Sequence, residues 1–147
     1  MKLLKILHLS DLHLDHVLTD YHRDCRNVRR IELVSAFDFL VDEAIRQAAD
    51  IMLIAGDLLC ARSISDSTAS AVREGFRRLA RASIFVAVVP GEAEEVHSLT
   101  MLRQVCGEPN VHLFLGEEWS RVSPLAGVSV WGLRTTSRNS TTNALAN

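Results

Sequence analysis

The sequence predicts an α/β fold built on a parallel β-sheet. Short apolar runs, typical of buried strands, alternate along the chain with longer segments whose apolar residues recur every three or four positions. The apolar runs are uninterrupted, as in strands that are covered on both faces. Each of the first three runs ends in a Ser-Asp, Gly-Asp or Pro-Gly pair, which marks a turn. Strands that alternate with helices predict parallel pairing through right-handed crossovers.

The first half of the chain contains three predicted strands and two predicted helices. The strands are predicted over residues 3–9, 51–55 and 84–89, which are almost entirely apolar. Helices are predicted over 26–49 and 67–82, where apolar residues recur on one side. The apolar stripe of the first helix consists of Val28, Ile31, Val34, Phe37, Val41, Ile45 and Ala48.

Shorter elements are predicted in the second half. A third helix is expected over 94–105 and a fourth strand over 111–115. Residues 119–123 and 128–133 then predict a hairpin around a Pro and a Gly. Because no linker or internal repeat interrupts this pattern, we expect one domain over residues 1–147.

Composition excludes several classes of protein. The formal net charge of −2 gives no overall basic field for nucleic acid, so any DNA contact needs a local patch. The apolar runs are far shorter than a membrane span, and we expect no membrane association. Three widely spaced cysteines, Cys25, Cys60 and Cys106, suit a reducing cytoplasm better than a disulfide framework.

Acidic side chains follow three consecutive predicted strands. Asp11 and His13 follow the first strand, Asp57 the second, and Glu92 and Glu94 the third. The carboxyl ends of parallel strands meet at one edge of the sheet, where ligands bind. Carboxylates placed there together repel one another unless a cation or protons intervene. Oxygen ligands with one imidazole suit Mn²⁺, Mg²⁺, Fe²⁺ or Zn²⁺. The alternative is that the aspartates are turn residues and the glutamates begin a helix.

Three motifs in series resemble a known family. ILHLSDLHLD, IMLIAGDLL and VVPGEAEE are similar to the D-x-H, G-D and G-N-H-D/E motifs of calcineurin-like metallophosphoesterases. The segments around them, including NVHLF and VWGL, resemble the branch of the SbcD-type DNA repair exonucleases. The resemblance implies the calcineurin-like fold, with βαβαβ units and a two-sheet sandwich flanked by helices. Since TTNALAN resembles the start of a further helix, we expect this fold to be incomplete at the C-terminus.

The resemblance also implies roles for residues. Asp11 and His13 would bind a first metal ion and Asp57 would bridge two, while Glu92 stands where the family has a neutral asparagine ligand. Two-metal sites of this kind orient a phosphodiester and activate water for in-line attack. SbcD-type members are manganese-dependent nucleases that pair with an SMC-like ATPase. The resemblance therefore implies divalent metals, with Mn²⁺ expected, as cofactors, and DNA and such an ATPase as partners.

Departures from the family pattern leave three functional hypotheses. Ala93 replaces a histidine that stabilises or protonates the leaving group, and no histidine follows Trp131. The chain is therefore expected to be an impaired phosphodiester hydrolase, a non-catalytic scaffold that binds DNA or a partner, or a truncated inactive fragment. If strands of the second sheet are missing, the apolar face bearing Trp131 should also promote self-association, and a homo-oligomer is expected.

Overall fold

The computed structural model describes residues 3–16, 22–59, 64–91, 94 and 96–134. Four strands and three helices alternate, and a hairpin follows them. The elements are β1 (Ile6–Leu9), α1 (Arg23–Arg46), β2 (Ile51–Ala55), α2 (Asp66–Arg81), β3 (Phe85–Val89), α3 (Val96–Val105), β4 (Val111–Leu113), β5 (Ser120–Leu125) and β6 (Val128–Gly132). This order confirms the predicted fold class.

The main sheet is parallel, with its strands in sequence order from β1 to β4. The register places Leu7, Met52, Val86 and Val111 in one row across the sheet. These residues belong to the core or pack against it, together with buried residues of all three helices. The hydrophobic core therefore lies between one face of the sheet and the helices.

Helices α1 and α2 pack closely because α2 has a glycine, Gly75, where it contacts α1. A Cβ on Gly75 would lie only 2.6 Å from the Phe37 ring, so only glycine permits this approach. Phe37 meets Phe76 edge to face, with ring centroids 5.9 Å apart. The start of α2 is fixed by Ser65, whose hydroxyl oxygen accepts a hydrogen bond from the Thr68 amide.

The predicted apolar stripe of α1 is wrong in its N-terminal half. Phe37 and Val41 are buried, but Val28 and Ile31 are 54% and 66% exposed. A cleft of about 420 Å³ lies between the N-terminal parts of α1 and α2, and Ile31, Ser67 and Thr68 are among the residues that line it. The boundaries also differ, since α1 begins and ends three residues earlier than predicted and β1 starts at Ile6.

The hairpin of β5 and β6 forms a second, antiparallel sheet of two strands among the described residues. It approaches the chain after β4 closely, because a Cβ on Gly132 would lie 2.3 Å from the Phe114 ring. Trp131 on β6 remains 57% exposed, with the Arg121 guanidinium 5.7 Å from its ring centroid. Within the described part of the chain, no helix is long and apolar enough to cross a membrane.

Candidate metal centre

Backbone hydrogen bonds hold the loops after β1 and β2 side by side. The Asp11 amide donates to the Gly56 carbonyl oxygen over 3.2 Å, and the His13 amide donates to the Asp57 carbonyl oxygen over 2.8 Å. The parallel pairing of β1 and β2 thus continues past the ends of both strands. As a result, the side chains of Asp11 and His13, in the loop after β1, lie beside the side chain of Asp57, in the loop after β2.

Leucines anchor the other side of these two loops. Leu14, Leu58 and Leu59 are fully buried, and Leu14 pairs with Leu59 in an isolated parallel bridge. Since each loop sends its leucines into the core, its polar residues are left at the surface of the sheet edge. Burying three leucine side chains stabilises the loops by several kcal/mol, at about 1.5–3 kcal/mol each.

The polar residues of the loops have unusual backbone conformations. Asp11, His13 and Asp57 all have positive φ, at 56°, 46° and 52°, and so does Asp15 of the first loop, at 60°. Ala48 and Ser83 also have positive φ, but they follow the C-caps of α1 and α2, where the left-handed conformation is common. The four loop residues do not follow a helix. Backbone strain of this kind concentrates at functional sites.

Three ligand-type atoms converge at this edge of the sheet. The His13 Nε2 atom lies 3.9 Å from Asp11 Oδ1 and 4.0 Å from Asp57 Oδ2. One ligand atom from each of the three residues lies within 4.8 Å of the other two. These separations are too long for hydrogen bonds. Atoms about 2.1 Å from a shared cation would be at most about 4.2 Å apart, so the three side chains must move closer together to bind one divalent ion.

Family membership agrees with this geometry. A sequence model of calcineurin-like phosphoesterases matches residues 4–139, a range that includes every helix and strand described above. The chain belongs to the calcineurin-like phosphoesterase family. Members of this family use divalent metal ions, and among the residues that the structure describes Asp11, His13 and Asp57 form a group that could hold one. The match is to the family as a whole and assigns no branch within it.

The loop after β3, the third loop at this edge of the sheet, approaches Asp57 at Gly91. A Cβ on Gly91 would lie 2.1 Å from Asp57 Oδ1 and 2.6 Å from the Asp57 amide nitrogen. Only glycine allows the two loops to come this close. Glu92, the fourth predicted ligand, and Ala93 lie outside the described residues, so the assignment of Glu92 stays a prediction.

Glu94 does not join the group of candidate ligands. Its side chain is 1% exposed and points into the protein, where its carboxylate accepts hydrogen bonds from the amides of Asp57, Leu59 and Gly91. Burial raises the pKa of Glu94 above its ordinary value, and the amide hydrogen bonds oppose that rise only in part. The sequence left open whether Glu94 is a ligand or a residue at the start of a helix, and the structure instead uses its carboxylate to bind the amides of the loops at this edge.

Asp15 is a second buried carboxylate that the sequence did not reveal. It accepts hydrogen bonds from the Arg30 guanidinium and the Ser65 amide, over 2.8 Å and 2.6 Å. Burial acts to raise the pKa of Asp15, but the hydrogen bonds from Ser65 and Arg30 outweigh it and lower the pKa. Asp15 thus ties the loop after β1 to both α1 and α2. A polar residue shortly after a D-x-H motif was the only sequence signal for this role.

A cleft of about 480 Å³ adjoins the candidate metal centre. It is lined by Asp11 and Asp57 at the sheet edge and by Trp119 and Trp131 of the hairpin region. The two tryptophan side chains are 43% and 57% exposed. The cleft therefore combines anionic ligand groups with aromatic surface.

Proposed function

We propose that this chain is a metal-dependent phosphoester hydrolase whose metal centre contains Asp11, His13 and Asp57. The observation that carries the proposal is the convergence of these three side chains, with one ligand atom from each within 4.8 Å of the others. They converge at the carboxyl edge of a parallel sheet, where ligands of α/β proteins bind. Membership of the calcineurin-like phosphoesterase family supports phosphoester hydrolysis as the reaction.

The donor set favours a hard or borderline divalent cation. Two carboxylates and one imidazole suit Mn²⁺ well, and we propose Mn²⁺ as the ion. Such an ion, when bound, supplies Lewis-acid chemistry that neutralises phosphoryl charge and activates water. The side chain of Asp57 is 19% exposed and that of Asp11 is 65% exposed. Asp57 would therefore hold the inner side of the ion, and Asp11 its solvent side.

A phosphodiester of a nucleotide is the proposed substrate class. Trp119 and Trp131 line the same cleft as Asp57, and nucleic-acid bases stack on aromatic side chains of this kind. This supports DNA as substrate, in keeping with the resemblance to SbcD-type nucleases. On the same resemblance we propose an SMC-like ATPase as partner and the reducing cytoplasm as compartment.

The sequence Gly91-Glu92-Ala93 supports slow turnover. The family has a histidine where this chain has Ala93, and the loss of a general acid typically lowers a rate by about 10²–10⁴-fold. The same substitution favours a second candidate function, in which the chain binds phosphodiesters without cleaving them. Both functions need the metal centre, and they differ only in turnover.

Phosphate binding tests the shared part of the proposal. Inorganic phosphate is titrated into the chain by calorimetry, with Mn²⁺ present and then with chelator. We expect binding only with Mn²⁺ and its loss in Asp57→Asn, while Asp66→Asn, at the exposed start of α2, should bind phosphate like the unchanged chain. Phosphate binding that survives chelator or Asp57→Asn would contradict the assigned site.

Cleavage of a phosphodiester separates the two candidate functions. Bis(p-nitrophenyl) phosphate and end-labelled DNA are incubated with Mn²⁺, and Asp57→Asn serves as the inactive control. Slow cleavage that chelator and Asp57→Asn both abolish supports the hydrolase. Mn²⁺-dependent phosphate binding without any cleavage supports the non-catalytic function. Cleavage that chelator leaves unchanged contradicts a metal-dependent mechanism.

A further inference from the structure

Glu94 connects two of the loops that form the candidate metal centre. Its Oε2 accepts hydrogen bonds from the Gly91 amide over 2.7 Å and the Asp57 amide over 3.2 Å. Its Oε1 accepts from the Leu59 amide over 2.9 Å. The amides of Asp57 and Leu59 belong to the loop after β2, and that of Gly91 belongs to the loop after β3. One side chain thus joins both loops next to Asp57.

The position of Asp57 depends on this connection. The Asp57 amide donates to Glu94, and the Asp57 carboxylate packs against the Cα of Gly91. A shift of the third loop therefore moves the surface on which the Asp57 carboxylate rests. Because the Gly91 amide and the Asp57 amide share the same Glu94 oxygen, the two loops are held at a fixed separation.

A carboxylate is the side chain that meets the needs of this position. Three amide donors point at the site, and a carboxylate accepts hydrogen bonds at both of its oxygens without presenting a donor. A glutamine of the same shape would turn an N–H₂ group toward at least one amide N–H. Since Glu94 is 1% exposed and both its oxygens are used by amides, it does not bind the ion directly in this arrangement.

We infer that Glu94 is a positioning residue of the metal centre, which sets the place of Asp57 through the backbone of two loops. The inference rests on the proposed function, since it assumes that Asp57 binds a divalent cation. Groups behind the ligands typically change metal affinity by about 10–100-fold when they are mutated. Glu94→Gln should therefore weaken Mn²⁺ binding by a factor in that range.

A matched control separates positioning from general destabilisation. The Asn110 side chain donates to the carbonyl oxygens of Phe76 and Ile84, over 3.3 Å and 3.0 Å, at the opposite end of the sheet. Asn110→Ala removes these two hydrogen bonds far from the metal centre. Both variants should unfold at lower temperature than the unchanged chain, but only Glu94→Gln should lose Mn²⁺ affinity.

The test is Mn²⁺ titration by calorimetry of four proteins: the unchanged chain, Glu94→Gln, Asn110→Ala and Asp57→Asn. Hydrogen exchange of the Asp57 and Gly91 amides, measured without metal, should be faster in Glu94→Gln and unchanged in Asn110→Ala. Equal Mn²⁺ affinity in Glu94→Gln and the unchanged chain, with binding lost in Asp57→Asn, would overturn the inference and leave the proposed function standing. Absence of Mn²⁺ binding by the unchanged chain would overturn the proposed function, and the positioning role with it.

Discussion

Replacing Gly91 with alanine should disturb the candidate metal centre without replacing any candidate ligand. The added Cβ would lie 2.1 Å from Asp57 Oδ1 and 2.6 Å from both the Asp57 Cγ and the Asp57 amide nitrogen. Favourable contacts between heavy atoms begin near 3.5 Å. Rotation of the Asp57 side chain relieves the first two clashes but not the contact with the amide nitrogen. The two loops must therefore separate by roughly 0.9 Å.

The size of the effect follows from this overlap. Forcing an extra carbon into a packed site typically costs about 1–3 kcal/mol of unfolding free energy. For a domain of this size that lowers the melting temperature by roughly 2–12 °C. If the ion requires Asp57 in its original place, the same strain weakens Mn²⁺ binding by about 5–140-fold, at 1.4 kcal/mol per tenfold.

Calorimetry of Mn²⁺ binding and thermal unfolding measures both quantities. Gly107→Ala is the control, because its added Cβ would meet nothing closer than 3.6 Å. It should keep the Mn²⁺ affinity of the unchanged chain and unfold within about 0.5 kcal/mol of it. If Gly91→Ala matched Gly107→Ala in both measurements, the close approach of the second and third loops would be refuted.

Three further predictions concern stability and reactivity. Ala48→Gly should raise the melting temperature in scanning calorimetry. A residue with a Cβ costs about 1–2 kcal/mol in the left-handed conformation of Ala48, whereas glycine costs only about 0.5–1 kcal/mol of entropy there. A lower melting temperature would contradict this. Folding lowers the pKa of Asp15, so its contribution to stability is present at neutral pH and is lost as the pH falls through the range in which the folded carboxylate becomes protonated. Urea unfolding of Asp15→Asn should accordingly show a smaller stability difference between pH 7 and pH 3 than the unchanged chain, and equal differences would argue against the Asp15 contacts. Burial raises the pKa of the Cys106 thiol to about 12, while Cys25 is exposed. Maleimide labelling mapped by mass spectrometry should therefore modify Cys25 and spare Cys106 until the chain unfolds. Rapid labelling of Cys106 in the native chain would contradict its burial.

Local sequence patterns were sufficient to predict the strands and the convergence of three polar side chains at one edge of the sheet. Apolar runs end at Ser10-Asp11 and Gly56-Asp57, and a parallel pairing of those runs brings Asp11, His13 and Asp57 to one edge. The structure places these three residues within reach of one ion. The prediction succeeded because strand order, turn position and residue type are all local properties, and the topology of a parallel sheet supplies the rest.

Features that depend on distant contacts were not predictable in the same way. Val28 and Ile31 fit the helical period, yet their burial depends on how closely α2 approaches α1. The partner of Asp15 lies 50 residues away at Ser65, and Glu94 reaches Asp57 across 37 residues. A single sequence does not reveal whether an acid after a strand faces an ion or turns inward to amides, because both arrangements place it in the same turn.

The central claim is that Asp11, His13 and Asp57 bind one divalent cation. Anomalous diffraction at the manganese absorption edge, from crystals grown with Mn²⁺, locates that ion without reference to activity. We expect a peak within about 2.5 Å of a ligand atom from each of the three residues, and no peak there in crystals of Asp57→Asn. A well-ordered sheet edge without such a peak, or a manganese peak bound only by other residues, would contradict it.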